Sequence, residues 1–230
     1  MQKDLAPEAL SEEIETVWRS LVASGLQCIA VTAATNGEGT STIAAALARR
    51  ALHAGKTVLL AEIFAERPTL SARVGMPLPP GEPVRIGAEG FSVLAVQAQA
   101  PGMWQERDFV AWRMAEWQRD HDFVILDLAP VLSSPAPGEA MGSLSLAASA
   151  ACTLMVVLAG KTKAEAVKRA QDRLGRAGAN LLGIVLNDRE NPSLKEEMER
   201  EVSRIAGFLP GLARRLLARV RRLPVLRVEI

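Results

Sequence analysis

The residues with the clearest chemical potential lie between an aliphatic run and a helical pattern. The segment Val31-Thr32-Ala33-Ala34-Thr35-Asn36-Gly37-Glu38-Gly39-Thr40-Ser41-Thr42 leaves the run through two glycines and then enters Ile43–Arg50. A glycine-rich turn between a strand and a helix presents backbone N–H groups and a positive helix end, which suit a phosphate. The general phosphate-loop pattern is G-x-x-x-x-G-K-[ST]. Here Ala34 takes the first glycine position, Gly39 the second, Thr40 the lysine position and Ser41 the Ser/Thr position. The lysine normally brings positive charge to the phosphates. A hydroxyl at Thr40 can donate a hydrogen bond but brings no charge. Two plainer readings stay open: Gly37 and Gly39 as turn glycines, and Ser41 and Thr42 as N-caps of the helix rather than Mg²⁺ contacts.

The elements that must hold this loop are legible from apolar patterning. Nearly continuous aliphatic runs at Leu26–Ala33, Thr57–Glu62, Phe91–Val96, Phe123–Asp127, Thr153–Ala159 and Leu181–Asn187 predict strands covered on both faces. Helical patterns fall at Ser41–His53, Trp104–Asp120, Gly138–Ala151 and Lys163–Ala177, with Gly55, Gly178 and Gly207 where C-terminal caps are expected. This alternation predicts an α/β fold with a doubly wound parallel sheet, whose ligands bind at the carboxyl ends of the strands. Met76–Gly90 and Leu128–Gly138 read as surface loops, and Trp112 and Trp117 as core residues. Cys28 and Cys152 sit in apolar runs and read as small buried hydrophobes, not as a disulfide. His53 and His121 have no partners at zinc-ligand spacing.

The run Ala34–Thr42 resembles the phosphate loop of bacterial tyrosine kinases of capsule and exopolysaccharide synthesis, in the MinD/ParA-like branch of P-loop ATPases. That loop typically reads T-P-G-E-G-K-S-T, so the differences lie at Asn36 and Thr40. The resemblance runs over Glu12–Asp188. It includes Gly55-Lys56, Arg67-Pro68-Thr69-Leu70, His121–Asp127 followed by Pro130-Val131-Leu132, and Gly183–Asn187. It implies an ATP and Mg²⁺ site: Gly37, Glu38, Gly39, Thr40, Ser41 and Thr42 around the phosphates, Asn187 near the adenine, and Ser41 and Asp127 at the metal. Asp127 and Glu62 occupy the positions of catalytic acids. Simpler roles are a strand-end polar residue for Asp127, a structural one for Glu62 and a turn-forming Asn for Asn187. Lys161 reads either as a charge near a nucleotide or as a solvated helix-start lysine. The family usually has two aspartates separated by one residue after the second strand; here they are Glu62 and Phe64. Its N-terminal assembly pattern E-x-x-R-x-x-R reads Thr16, Arg19, Val22, so ring assembly loses most of its side chains and a homo-oligomer is left open.

Composition narrows the function. The 230 residues are 49% apolar and 23% charged, as in globular proteins, and the net charge is +1, so nucleic acid is not an expected partner. There is no tyrosine, which excludes phosphorylation of its own tyrosines. The organisation predicted is an N-terminal helix over 1–24, a degenerate P-loop domain over 25–206 and a basic amphipathic tail over 207–230. The tail's Leu212, Leu216, Val220 and Leu223 form one stripe and Arg215, Arg219 and Arg222 another, a pattern suited to an anionic membrane surface or to docking on the domain. No secretory signal or membrane-spanning run is read, which points to a cytoplasmic protein, peripheral at the inner face of the plasma membrane. Three functions follow: a pseudokinase partnering a membrane polysaccharide copolymerase that controls chain length, an active kinase or ATPase with a substitute cation, and a MinD/ParA-like positioning ATPase. Loss of the loop lysine and of one acid favours the first.

Overall fold

A computed structural model describes residues 12–63, 70–87, 90–96, 103–132 and 137–188. Its elements belong to one compact unit, Met1–Asn187. They run α1 (Glu12–Ala23), β1 (Cys28–Ala33), α2 (Thr40–His53), β2 (Val58–Ile63), α3 (Leu70–Val74), β3 (Val84–Ile86), β4 (Phe91–Val96), α4 (Arg107–Asp120), β5 (Phe123–Leu128), α5 (Pro137–Ser149), β6 (Cys152–Leu158), α6 (Ala164–Ala177) and β7 (Leu181–Asn187). The sheet order is β3-β4-β2-β5-β1-β6-β7. Phe64, Arg67–Thr69, Gly207, the domain end expected at 206 and the basic tail lie outside the described residues.

Each strand and helix predicted between Leu26 and Asn187 is present within a few residues of its expected ends, and of the N-terminal helix expected over 1–24 the described part is Glu12–Ala23. Two corrections follow from tertiary pairing. The sheet is not wholly parallel, because β3 forms inside the presumed loop Met76–Gly90 and pairs antiparallel with β4. Three residues carry too little pattern to announce a strand; what stabilises them is the open edge of β4. Trp112, expected in the core, is 57% exposed, whereas Trp117 is buried. Trp112 lies beside Phe109 and under the Arg113 guanidinium, 5.4 Å from its ring centre.

Strand alternation sorts the aliphatic side chains into two cores. Ile29 and Val31 of β1, Leu60 of β2 and Ile125 of β5 face one side, with α1 and α2. Ala30, Leu59, Ala61, Val124 and Leu126 face the other, with α4, α5 and α6. The buried face of α2 is nearly all alanine (Ala44, Ala45, Ala46, Ala48, Ala51) around Leu47. Such small side chains let the helix lie close to the central strands, which seats its N-terminus at the carboxyl end of β1.

The N-terminal helix is built into this unit. Ile14, Trp18 and Leu21 are buried in the α2-side core, and Trp18 packs on Phe123 at 4.9 Å between ring centres. Arg50 of α2 pairs with Glu15 and lies over Trp18. Arg19, from the assembly pattern, pairs with Glu15 on its own helix. No helix among the described residues is long and apolar enough to cross a membrane.

Both thiols are free and buried, and they belong to opposite cores, which explains why adjacent strands do not cross-link them. Burial pushes Cys28 up to about 12 and Cys152 up to about 11. Thiolates are the reactive species. The native protein is therefore expected to ignore Ellman's reagent at about pH 8, and the denatured chain to titrate both thiols; prompt native labelling would contradict this packing. In the unfolded chain these thiols ionise near 9.0. Stability is thus whole below that pH and declines as pH rises from about 9 toward 12.

Candidate functional site

The strand–turn–helix expected from the sequence is present. β1 ends at Ala33, the chain turns through Gly37 (φ 83°) and Gly39 (φ 95°), and α2 begins at Thr40. Both glycines sit in the left-handed region, where a Cβ would add strain. Gly39 is the N-cap residue, and its carbonyl accepts the Thr42 and Ile43 amides at 3.0 and 3.1 Å. Ser41 and Thr42 therefore lie inside the first helical turn, not at its cap, which removes the N-cap reading for both. Thr40, at the lysine position, opens the helix.

Glu38 makes the densest set of contacts in the loop. It is 2% exposed. Its Oε2 accepts the Ala34 amide at 3.2 Å, and its Oε1 accepts the Thr35 amide at 3.1 Å and the Thr35 hydroxyl at 2.5 Å. A further donor, the Thr162 hydroxyl, reaches Oε1 at 2.9 Å from the β6–α6 turn. The carboxylate is thus folded into the loop, closing its start onto its apex. Asn187, at the end of β7, donates through Nδ2 to the Glu38 carbonyl at 2.8 Å. The residue expected near an adenine is tied to the phosphate loop.

The two acids predicted as catalytic come together as strand neighbours. Glu62 and Asp127 are paired in register on β2 and β5, and Asp127 is also in register with Val31 of β1. By strand alternation both share the α2 side of the sheet with Leu60 and Ile125. Both are buried, and Glu62 Oε2 accepts the Leu70 amide at 3.1 Å, holding the start of α3.

The floor of the site is cross-linked by backbone bonds. Val131 and Leu132, after β5, donate to the carbonyls of Ala33 and Ala34 at 2.8 and 3.1 Å. Thr32 donates its hydroxyl to the Ala129 carbonyl at 3.0 Å, and Arg173 of α6 donates to the Val131 carbonyl at 2.8 Å. Thr35, Thr162 and Arg173 were not singled out from sequence. Thr35 meets Glu38 three residues on, within the loop, whereas the partners of Thr162 and Arg173 are brought near only by the order β5-β1-β6. His121, between α4 and β5, places Nδ1 2.9 Å from the Trp117 carbonyl in the last turn of α4. Among the described residues no cluster of three or more His, Cys, Asp or Glu is built for a metal ion.

The sequence matches no family model and no curated protein. Solved structures resemble it in fold. The kinase domain of Escherichia coli tyrosine kinase ETK superposes with a TM-score of 0.66 at 21% identity, covering 78% of this chain and 76% of that one. A plasmid partition protein from Borrelia burgdorferi gives 0.55 at 13% identity, over 76% and 85%. Cobyrinic acid a,c-diamide synthase from Mycobacterium smegmatis, with bound ADP and magnesium, gives 0.53 at 17% identity, over 86% and 82%. With its glycine turn, its paired strand-end acids and this likeness, the chain has the mostly parallel α/β fold seen in these structures, the tyrosine kinase domain among them.

Proposed function

We propose that this protein is a pseudokinase of exopolysaccharide or capsule synthesis: it binds nucleotide weakly, turns it over poorly, and acts as partner or regulator of a membrane polysaccharide copolymerase. The observation that carries the reading is Thr40 at the first position of α2, where a phosphate loop needs a cation. Phosphoryl transfer proceeds by positioning and by neutralising the charge that develops on the phosphoryl oxygens. Here the loop supplies amides and hydroxyls, while Glu38, Glu62 and Asp127 add negative charge around the same strand ends.

The residues present fit a nucleotide with Mg²⁺ in part. Gly37 and Gly39 hold the turn open for backbone contact, and the α2 N-terminus favours an anion. The Ser41 hydroxyl and the Asp127 carboxylate are hard oxygen donors of the kind Mg²⁺ takes, one or two from protein and the rest from phosphate and water. Bound Mg²⁺ would supply Lewis-acid charge to the phosphates. Asn187 and Glu38 hold the loop in place rather than presenting free polar groups. The resemblance of the loop to that of the polysaccharide kinases, and the fold shared with a tyrosine kinase domain, support the partnership; the basic tail supports attachment to an anionic membrane.

The test is melting temperature with ADP or ATP, with and without Mg²⁺, beside a sensitive phosphate-release assay. A small Mg²⁺-dependent rise with turnover at the buffer blank is expected. Hydrolysis or tyrosine phosphorylation near the ~1 s⁻¹ floor of working kinases would overturn the reading in favour of an active enzyme with a substitute cation.

A further inference from the structure

The lysine missing from the phosphate loop raises the question of where else positive charge stands at this end of the sheet. Among the described residues of the loops that leave the carboxyl ends of the parallel strands, Lys161 and Lys163 are the only Lys or Arg. Both belong to the β6–α6 turn, and β6 lies directly beside β1. Thr162, between them, accepts the Leu158 amide at 3.1 Å and donates to Glu38 at 2.9 Å. The Lys161 and Thr162 amides both return to the Leu158 carbonyl, at 3.2 and 3.0 Å, and Gly160 turns the chain at φ 69°. The turn is therefore a fixed piece of structure clamped onto the phosphate loop. Lys163 is the cap residue of α6, whereas Lys161 lies in the turn itself and is exposed.

Building on the nucleotide-binding reading above, we propose that Lys161 is a relocated phosphate-binding cation, which engages the polyphosphate of a nucleoside di- or triphosphate in place of the loop lysine. Its anchor is one residue from a direct contact with the loop, and a lysine's four-carbon stem spans about 6 Å and ends in three donors. A cation brought in from a neighbouring turn can hold a phosphate, yet it is not seated in the loop's own amide cradle. That accounts for retained binding alongside impaired transfer. Thr162 acts as a positioning residue: it sets the turn against Glu38 and so sets the reach of Lys161.

The experiment titrates the full-length protein with N-methylanthraniloyl-ADP and Mg²⁺ at low and moderate salt. Lys161→Ala is expected to weaken binding about five- to tenfold and to flatten its salt dependence, with Lys161→Arg retaining most of the affinity. Lys168→Ala, on the exposed side of α6 in an ion pair with Asp172, is expected to match the parent. In a Thr162→Val background the effect of Lys161→Ala should shrink, a coupling that a merely solvated lysine would not produce. Affinity of Lys161→Ala within twofold of the parent, or a loss confined to Lys163→Ala, overturns the assignment while leaving nucleotide binding intact. If the unaltered protein binds no nucleotide, the functional reading falls first and the assignment falls with it.

Discussion

Replacing Thr40 by lysine is expected to raise ATP affinity by about 10- to 100-fold. A charge-assisted hydrogen bond to a charged partner contributes roughly 1.5–3 kcal/mol, and each 1.4 kcal/mol is a factor of ten. The position is favourable for the substitution. It is the first residue of α2, only partly buried, and follows the left-handed Gly39 that orients the helix end. Lysine is also a good helix former, so no backbone cost is anticipated. The gain should appear as tighter binding by calorimetry and as a larger ligand-induced rise in melting temperature. Turnover should stay low, because Phe64 still stands where the resembled kinases carry a second acid. An unchanged affinity would mean that a lysine at position 40 does not reach the phosphates, and the reading that the missing loop cation weakens binding would fall.

The second large effect is on stability. Glu38→Ala is expected to cost about 2–4 kcal/mol and to lower the melting temperature by roughly 5–12 °C. The carboxylate accepts from two backbone amides and two threonine hydroxyls while nearly fully buried. Removing it leaves those donors without their acceptor where water has little access. Glu38→Gln should lose less, since the amide oxygen can still accept from Thr35 or Thr162 but the charge and one acceptor are gone. Chemical denaturation of the three proteins side by side reads this directly. A Glu38→Ala variant within about 0.5 kcal/mol of the parent would show that the loop holds its shape from backbone geometry alone.

The two predictions probe different properties of one loop. Thr40 concerns charge offered to a ligand, and Glu38 concerns the rigidity with which the loop waits for it. The clasp also ties function to packing. Glu38 joins the loop to the β6–α6 turn through Thr162 and to β7 through Asn187, and Arg173 holds the segment after β5 against the same floor.

Much of this protein was determined by sequence alone. The six parallel strands and the helices between them follow from uninterrupted aliphatic runs alternating with helical periodicity, because a strand covered on both faces has no polar side to interrupt it. The glycine turn at Gly37 and Gly39, the absent lysine at Thr40 and the strand-end acids Glu62 and Asp127 are likewise local features, each readable within a few residues. Other features needed the tertiary fold. β3 exists because β4 has an edge to cover, and Trp112 is exposed because, among the described residues, its side of α4 packs against no other element. Glu38 reads as a loop residue of the site until the structure turns its side chain inward, where donors from residues 34, 35 and 162 meet it. The first two are near neighbours of Glu38 in sequence, but Thr162 is 124 positions away and is joined to it only by the adjacency of β1 and β6. Local spacing encodes what a residue can do; strand order decides which distant partner it does it with.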